Sequence, residues 1–130
     1  MPKSISKREQ KLVICKLALD LLRLNYEYAF PSEPFGARAM DGLLMTAVFV
    51  GFAEGKPMPA GKLAAYAGVP RSTADRRLRA LQREGYVQRD ADGCYLLCPQ
   101  PFENERFASV ISASVRMIIR AGAALSKMDT

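Results

Sequence analysis

Two short helical segments separated by a glycine turn constrain this chain more than any other feature. Residues 60–67 are small and apolar, a Gly-Val turn follows at 68–69, and Pro70 suits the start of a second helix that we expect over 71–83. Gly85 suits the end of that helix because glycine reaches the left-handed conformation at low cost. The spacing predicts two helices held at an angle by a fixed turn.

The second helix has two unlike faces. At about 3.6 residues per turn, Ala74, Leu78 and Leu81 share one stripe, which we expect to face the core. The opposite stripe and its flanks are polar and comprise Ser72, Thr73, Arg76, Arg77, Arg79 and Arg83. Residues 70–83 hold five arginines against a single acid, Asp75. Because like charges one turn apart repel each other, this imbalance favours an anionic partner over a plain solvated face.

Arginine and hydroxyl side chains on such a helix match the chemistry of double-stranded DNA. A guanidinium can bond guanine O6 and N7 together or clamp a phosphate, and first-turn hydroxyls and N–H groups can bind phosphate. Lys62, in the first short helix, is a candidate phosphate contact, with a solvated lysine as the alternative. We predict that Arg76 and Ser72 contact base edges and that Arg79 contacts a base or a phosphate. Phosphate contacts are predicted for Thr73, Arg77 and Arg83, and Arg71 is a further predicted DNA contact.

The segment after the second helix has the composition of a β-hairpin. Residues 86–89 and 94–97 are typical of strands, and Asp-Gly at 92–93 predicts a two-residue turn between them. Arg89 is the candidate DNA contact of this wing. The aspartates beside it would repel phosphate and are better suited to shaping the turn.

The string Gly-Val-Pro-Arg-Ser-Thr-x-x-Arg-x-Leu-x-x-Leu-x-x-x-Gly-Tyr-Val-x-Arg begins at Gly68. It resembles the DNA-binding module of IclR-type regulators and, more loosely, that of the MarR family. The chain is similar to MarR-type regulators in size and in its long terminal helices, but it has no Asp-x-Arg wing motif. The resemblance implies a mainly α fold with a small β-hairpin wing, that is, a winged helix-turn-helix with long N- and C-terminal dimerisation helices.

Long helices flank this module. We expect a single domain with an N-terminal helix over 6–29, opened by a Ser6/Glu9 capping box, a core over 38–98 and a C-terminal helix over 102–127. The N-terminal helix has only one narrow polar stripe, so other helices must cover it on two sides. The C-terminal helix has a coiled-coil-like seam of Phe107, Ile111, Ser114, Ile118, Ala121 and Leu125. Pairing of both helices across a twofold axis predicts a homodimer, with packing inside one chain as the alternative.

The net charge of +6 is concentrated in two places. Residues 1–11 and residues 59–97 each contribute +3, which fits a polyanionic partner.

No apolar run is long enough to span a bilayer and the N-terminus lacks a hydrophobic signal core, so we expect a cytoplasmic protein without a membrane partner. The longest apolar run, at 43–53, belongs to a helix over 38–54 whose expected core residues are Met40, Leu43, Leu44, Ala47, Val48, Val50 and Phe52.

The chain has few of the residue types that usually serve in catalysis or bind metal ions. Histidine, the commonest general base and metal ligand, is absent. Cys15, Cys94 and Cys98 lack a fourth ligand at zinc-site spacing, and we expect them to be reduced thiols that pack as small hydrophobes. We therefore predict no catalytic residue, no metal site and no cofactor, and we do not expect an enzyme.

These patterns predict a sequence-specific, double-stranded DNA-binding transcriptional regulator that acts as a homodimer. Two other functions stay open: a plasmid or phage replication or partition factor with the same module, and a winged-helix protein-protein interaction module. Resemblance to MarR-type regulators implies a small aromatic effector, with ordinary packing as the alternative for the aromatics that would line its cleft, Tyr26, Tyr28, Phe30 and Phe35. The resemblance also suggests a peroxide sensor at Cys15, although its apolar neighbours favour burial.

Overall fold

The computed structural model describes residues 3–34, 36–100 and 104–128. Its elements are α1 (Lys3–Ala29), α2 (Ala39–Ala53), β1 (Met58–Pro59), α3 (Ala60–Ala67), α4 (Arg71–Arg83), β2 (Val87–Arg89), β3 (Cys94–Leu97) and α5 (Glu105–Met128). The chain forms two compact units, one made of α1 with α5 and the other made of the elements between them. The predicted fold class is confirmed: a mainly helical winged helix with a small antiparallel sheet and flanking helices.

The central unit has a core built by α2, α3, α4 and β3. Ala74, Leu78 and Leu81 are fully buried, as the stripe on α4 predicts. The expectation for α2 is wrong in part, because only one side of this helix faces the core. Its fully or nearly fully buried apolar residues are Leu44, Met45, Ala47 and Val48, whereas Met40, Leu43 and Phe52 are exposed.

Glycines in the left-handed conformation follow α3 and α4, where the sequence predicted a turn at Gly68 and this conformation at Gly85. Gly68 has a φ of 73° and its N–H donates to the carbonyl of Ala64, which turns the chain sharply into α4. After α4, Gly85 has a φ of 87° and the N–H of Tyr86 donates to the carbonyl of Leu81 at 3.0 Å. These bonds satisfy carbonyls at the C-terminal ends of α3 and α4 and fix the direction that the chain takes after each helix.

The wing is a three-stranded antiparallel sheet in the order β1-β3-β2. The hairpin of β2 and β3 is confirmed, but β1, which pairs with β3 through Met58 and Pro59, was not predicted. The two-residue turn is wrong, because the loop between the strands is Asp90–Gly93, with Gly93 at a φ of 81°. Asp90 shapes this loop: its Oδ1 accepts hydrogen bonds from the N–H groups of Asp92 and Cys94, both at 2.9 Å.

Helices α1 and α5 run antiparallel in the second unit. Asn25 donates to the hydroxyl of Ser114 at 3.1 Å, and one turn farther along α1 the Tyr28 ring lies 5.9 Å from that of Phe107. The hydroxyl of Tyr28 also bonds to the side chain of Asn104. Helix α1 already includes Ser6, so the predicted capping-box start is wrong.

The seam of α5 differs from the predicted one. Ser114 is buried and Phe107 is half-buried, but Ile111 and Ile118 are 42% and 50% exposed. Val110 and Met117 are less exposed in their place, whereas Phe107, Ser114 and Ala121 belong to both stripes, so the side of α5 that faces α1 is rotated by about half a residue, or about 50°. The apolar face of α5 is wider than a single seam, and part of it stays open to solvent.

Helix α5 is also long and apolar enough to cross a membrane, by length and composition alone. It has 24 residues and a stretch with a mean hydropathy of 1.4, of which 6% is buried. The prediction concerned an uninterrupted apolar run, and α5 has none, because Arg116 and Arg120 interrupt its apolar residues.

Candidate nucleic-acid interface

The outer face of α4 carries exposed arginines. Ser72 is exposed and Thr73 is half-buried in the first turn of this helix. In the part of the chain that the structure describes, no ion pair is formed by the exposed arginines of α4, which are Arg71, Arg76, Arg79 and Arg83. These guanidinium groups are therefore accessible to an external anion.

Arg77, the remaining arginine of α4, lies in a different environment. Its Nε donates to Oδ1 of Asp41 and one Nη donates to Oδ2, both at 2.8 Å. This two-point pairing links α4 to the first turn of α2. The sequence did not predict it, because the two residues are 36 positions apart. The predicted phosphate contact of Arg77 has only its remaining N–H groups to use.

Asp41 is a buried carboxylate with a second arginine partner. Its side chain is 3% exposed, and its Oδ2 also accepts a 2.7 Å bond from Nε of Arg38. Burial raises the pKa of Asp41, but hydrogen bonds and charges of Arg77 and Arg38 outweigh burial and hold that pKa below its usual value. Asp41 is the one charged residue of the apolar helix α2, and this isolation was the sequence signal for a paired, buried acid.

Arg38 connects this carboxylate to the far end of α4. Its Nη2 lies 2.9 Å from Oε2 of Glu84, the C-cap residue of α4, and its guanidinium lies 5.8 Å from the ring centroid of Tyr86. Burial lowers the pKa of Arg38, but the hydrogen bonds to Asp41 and Glu84 outweigh it and the net shift is upward. We name Arg38, Asp41 and Arg77 together the Asp41 clamp. It ties α4 to α2 near the middle of α4 and again at its end.

The other predicted contacts lie on the surface of the same unit. Lys62 is exposed in the first turn of α3. Arg71 lies against the backbone of that turn: Cζ of Arg71 is 3.3 Å from the position that a Cβ on Gly61 would occupy. In the wing, the guanidinium of Arg89 lies 5.9 Å from the ring centroid of Tyr95, which is opposite it on β3. All three cations are solvent-accessible, and their contacts with DNA stay predictions.

Cysteines and acids do not form a metal site in the part of the chain that the structure describes. No group of three or more potential ligands occurs there. All three cysteines are free thiols. Cys94 and Cys98 are half-buried, but Cys15 is exposed, so the expectation that its apolar neighbours bury it is wrong.

The aromatic residues proposed for an effector cleft have individual environments. Tyr28 packs on Phe107, as described above, which agrees with ordinary packing. Tyr26 is half-buried, and burial raises the pKa of its hydroxyl. Phe30 is 5% exposed. Phe35 lies outside the described residues, and the effector itself stays a prediction.

Comparison with known proteins agrees with the geometry of the central unit. The family model of the IclR helix-turn-helix domain matches residues 51–91, which run from the end of α2 through β1, α3, the turn, α4 and β2 and end before β3. No curated protein and no solved structure matches the chain. The matched domain is a DNA-binding domain of regulators and not an enzyme domain. The match and the fold of the central unit together support a winged helix-turn-helix of the DNA-binding type found in transcriptional regulators.

Proposed function

We propose that the protein binds a pseudo-palindromic DNA duplex as a homodimer, with α4 of each protomer in the major groove. Arg76 and Ser72 bind base edges, and Arg79 binds a base or a phosphate. Arg71, Thr73, Arg83, Lys62 and Arg89 bind the backbone. The observation that carries this proposal is the outer face of α4, where exposed guanidinium groups without carboxylate partners in the described residues stand above a fully buried apolar stripe.

The apolar surface of the α1–α5 unit supports a homodimer. Large side chains on both helices are between 39% and 65% exposed: Leu12, Ile14, Leu19, Leu22, Ile111, Val115, Ile118 and Ile119. Burying the exposed half of such a side chain contributes about 1 kcal/mol. Two antiparallel helix pairs that meet along these residues form a four-helix bundle, in which each protomer covers the other.

The charges of α5 favour this arrangement over a membrane span. Arg116 and Arg120 lie one turn apart near the middle of the helix, where each arginine would cost about 2.5–3.5 kcal/mol in a bilayer. Both are exposed on one side of the helix, away from Ile111 and Ile118. Such an amphipathic helix suits a protein interface in aqueous solution, and we propose a cytoplasmic location for the regulator.

Selection of bound duplexes from a random pool tests the proposal. We expect an inverted repeat whose half-sites are centred about 34 Å apart, one turn of DNA, because a twofold dimer presents two α4 helices with that symmetry. Recovery of a single half-site would argue against the dimer. Recovery of no sequence preference would refute specific recognition and favour a protein-protein module, which has no reason to select a duplex.

A further inference from the structure

The geometry points to the Asp41 clamp as the device that positions α4 for base recognition, with Arg77 acting as a positioning residue instead of a DNA contact. The inference deepens the proposed function and rests on it. Asp41 and Arg38 do not lie on α4, so neither belongs to the face that would enter the groove. They would affect DNA binding only through α4.

The arrangement of Arg77 opposes a direct role at phosphate. Its Nε and one Nη form a side-on, two-point pair with the Asp41 carboxylate, which is the strongest geometry that a guanidinium and a carboxylate adopt. This pairing occupies the side-on edge of the guanidinium, so a phosphate that leaves the pair intact has only the Nη1/Nη2 end to bind. Release of Arg77 to DNA would leave Asp41 with one arginine in a site where its side chain is 3% exposed.

The clamp lies beside the residues proposed to read DNA. Thr73 and Arg76 line the same open cleft as Arg77, Asp41 and Arg38. Arg76 precedes Arg77 directly, so the direction in which Arg76 projects depends on the rotation of α4 about its axis. Because Asp41 holds Arg77 at two points, it restricts that rotation. Arg38 adds a second restraint through Glu84 at the C-cap of α4.

The clamp differs from a phosphate contact in its response to charge and to salt. A phosphate contact would survive in Arg77→Lys, since lysine keeps the charge, and it would not need Asp41. A positioning residue needs the planar two-point geometry, so Arg77→Lys and Asp41→Asn should both weaken binding. Loss of a phosphate contact also lowers the slope of log affinity against log salt concentration by about 1, whereas loss of positioning leaves the number of released counterions unchanged.

The test measures binding of the duplex recovered from the random pool and of a shuffled duplex, over a series of salt concentrations. The variants are Arg77→Lys, Arg77→Gln, Asp41→Asn and the double variant Asp41→Asn/Arg77→Gln, with Arg83→Gln as the phosphate-contact control. Circular dichroism at the assay temperature identifies the variants that are folded. Arg77→Lys keeps a charged partner for Asp41 and serves as the principal variant if Asp41→Asn unfolds.

We expect each single variant of the clamp to bind the selected duplex about tenfold more weakly, a coupling typical of one ion-pair network, and the double variant to lose little more. Binding of the shuffled duplex and the salt slope should stay near wild type, while Arg83→Gln lowers the slope. Wild-type affinity of Arg77→Lys, or a reduced slope in Arg77→Gln with Asp41→Asn unaffected, would overturn the inference and leave the proposed function intact. Absence of selectivity in the wild-type protein would refute the proposed function, and no clamp variant is needed for that result.

Discussion

Removal of the Asp41 carboxylate should be the most destabilising change of a polar side chain in the central unit. In Asp41→Ala, three hydrogen bonds from arginine nitrogens are lost, at 2.7 to 2.8 Å. Each such bond to a charged group contributes about 1.5–3 kcal/mol, but these contributions are not additive. Breaking a buried ion pair by removing one partner costs about 3–5 kcal/mol.

The structure places the expected cost at the lower end of this range. The side chain of Arg77 is 32% exposed and can regain water, and Arg38 keeps its contact with Glu84 at 2.9 Å. We therefore expect Asp41→Ala to lower the free energy of unfolding by about 3 kcal/mol. For a chain of this size the melting temperature would fall by roughly 12 °C. Asp41→Asn keeps one carbonyl acceptor and should lie between Asp41→Ala and wild type.

Urea and thermal unfolding followed by circular dichroism measure these differences. Asp92→Ala is the matched control, because Asp92 is exposed in the wing of the same unit. We expect it to change the free energy of unfolding by less than about 0.5 kcal/mol. If Asp41→Ala shifts the unfolding midpoint no more than Asp92→Ala does, the carboxylate does not hold α4 to α2 and the account of the clamp is refuted.

Further predictions concern acid stability, DNA recognition and assembly. The pKa of Asp41 is lowered in the folded state, so the stability that this carboxylate contributes is present at neutral pH. That contribution is lost as the pH falls below about 4 and through the folded pKa. In acid titrations, the difference in the free energy of unfolding between wild type and Asp41→Asn should therefore close in this range. In binding assays with the selected duplex, Arg76→Ala should cost roughly 1–3 kcal/mol and relax sequence preference, whereas Arg83→Ala should weaken all duplexes about equally; equal, sequence-independent losses from both would contradict these roles. In analytical ultracentrifugation, Ile118→Glu should shift the protein from dimer to monomer, because it would bury a charge in the bundle. The control Ser109→Glu lies on the arginine side of α5 and should leave the dimer intact. A dimer that tolerates Ile118→Glu would argue against this interface.

Local chemistry made much of the central unit predictable. A turn glycine, a helix-starting proline and a terminal glycine bound α4 closely, and the observed helix has the predicted bounds, Arg71–Arg83. Its apolar stripe is narrow and its polar face is wide, so a period of about 3.6 residues leaves a single way to orient it.

The wing was predicted less completely. Its strands follow from β-propensity, but β1 is a two-residue segment with no pattern of its own, and only pairing with β3 makes it a strand.

Wide apolar faces could not be oriented from sequence. In α5, two overlapping stripes about 50° apart are both apolar, so spacing alone did not separate the side that packs on α1 from the exposed side. The same ambiguity applies to α2, where Met40, Leu43 and Phe52 were expected inside and are exposed. In both helices the choice depends on which neighbour packs against them.

The amino-acid sequence by itself determined the helix-turn-helix, its bounds and the direction of its arginine face, because each of these depends on residues within a few turns of one another. Only the tertiary structure decided which of those arginines are accessible. Arg77 and Arg76 are adjacent in the chain and chemically identical, yet one is paired with a carboxylate 36 positions away and the other is exposed. The reason is physical: an ion pair depends on distance in space, and helical periodicity carries no information about what the next helix places opposite.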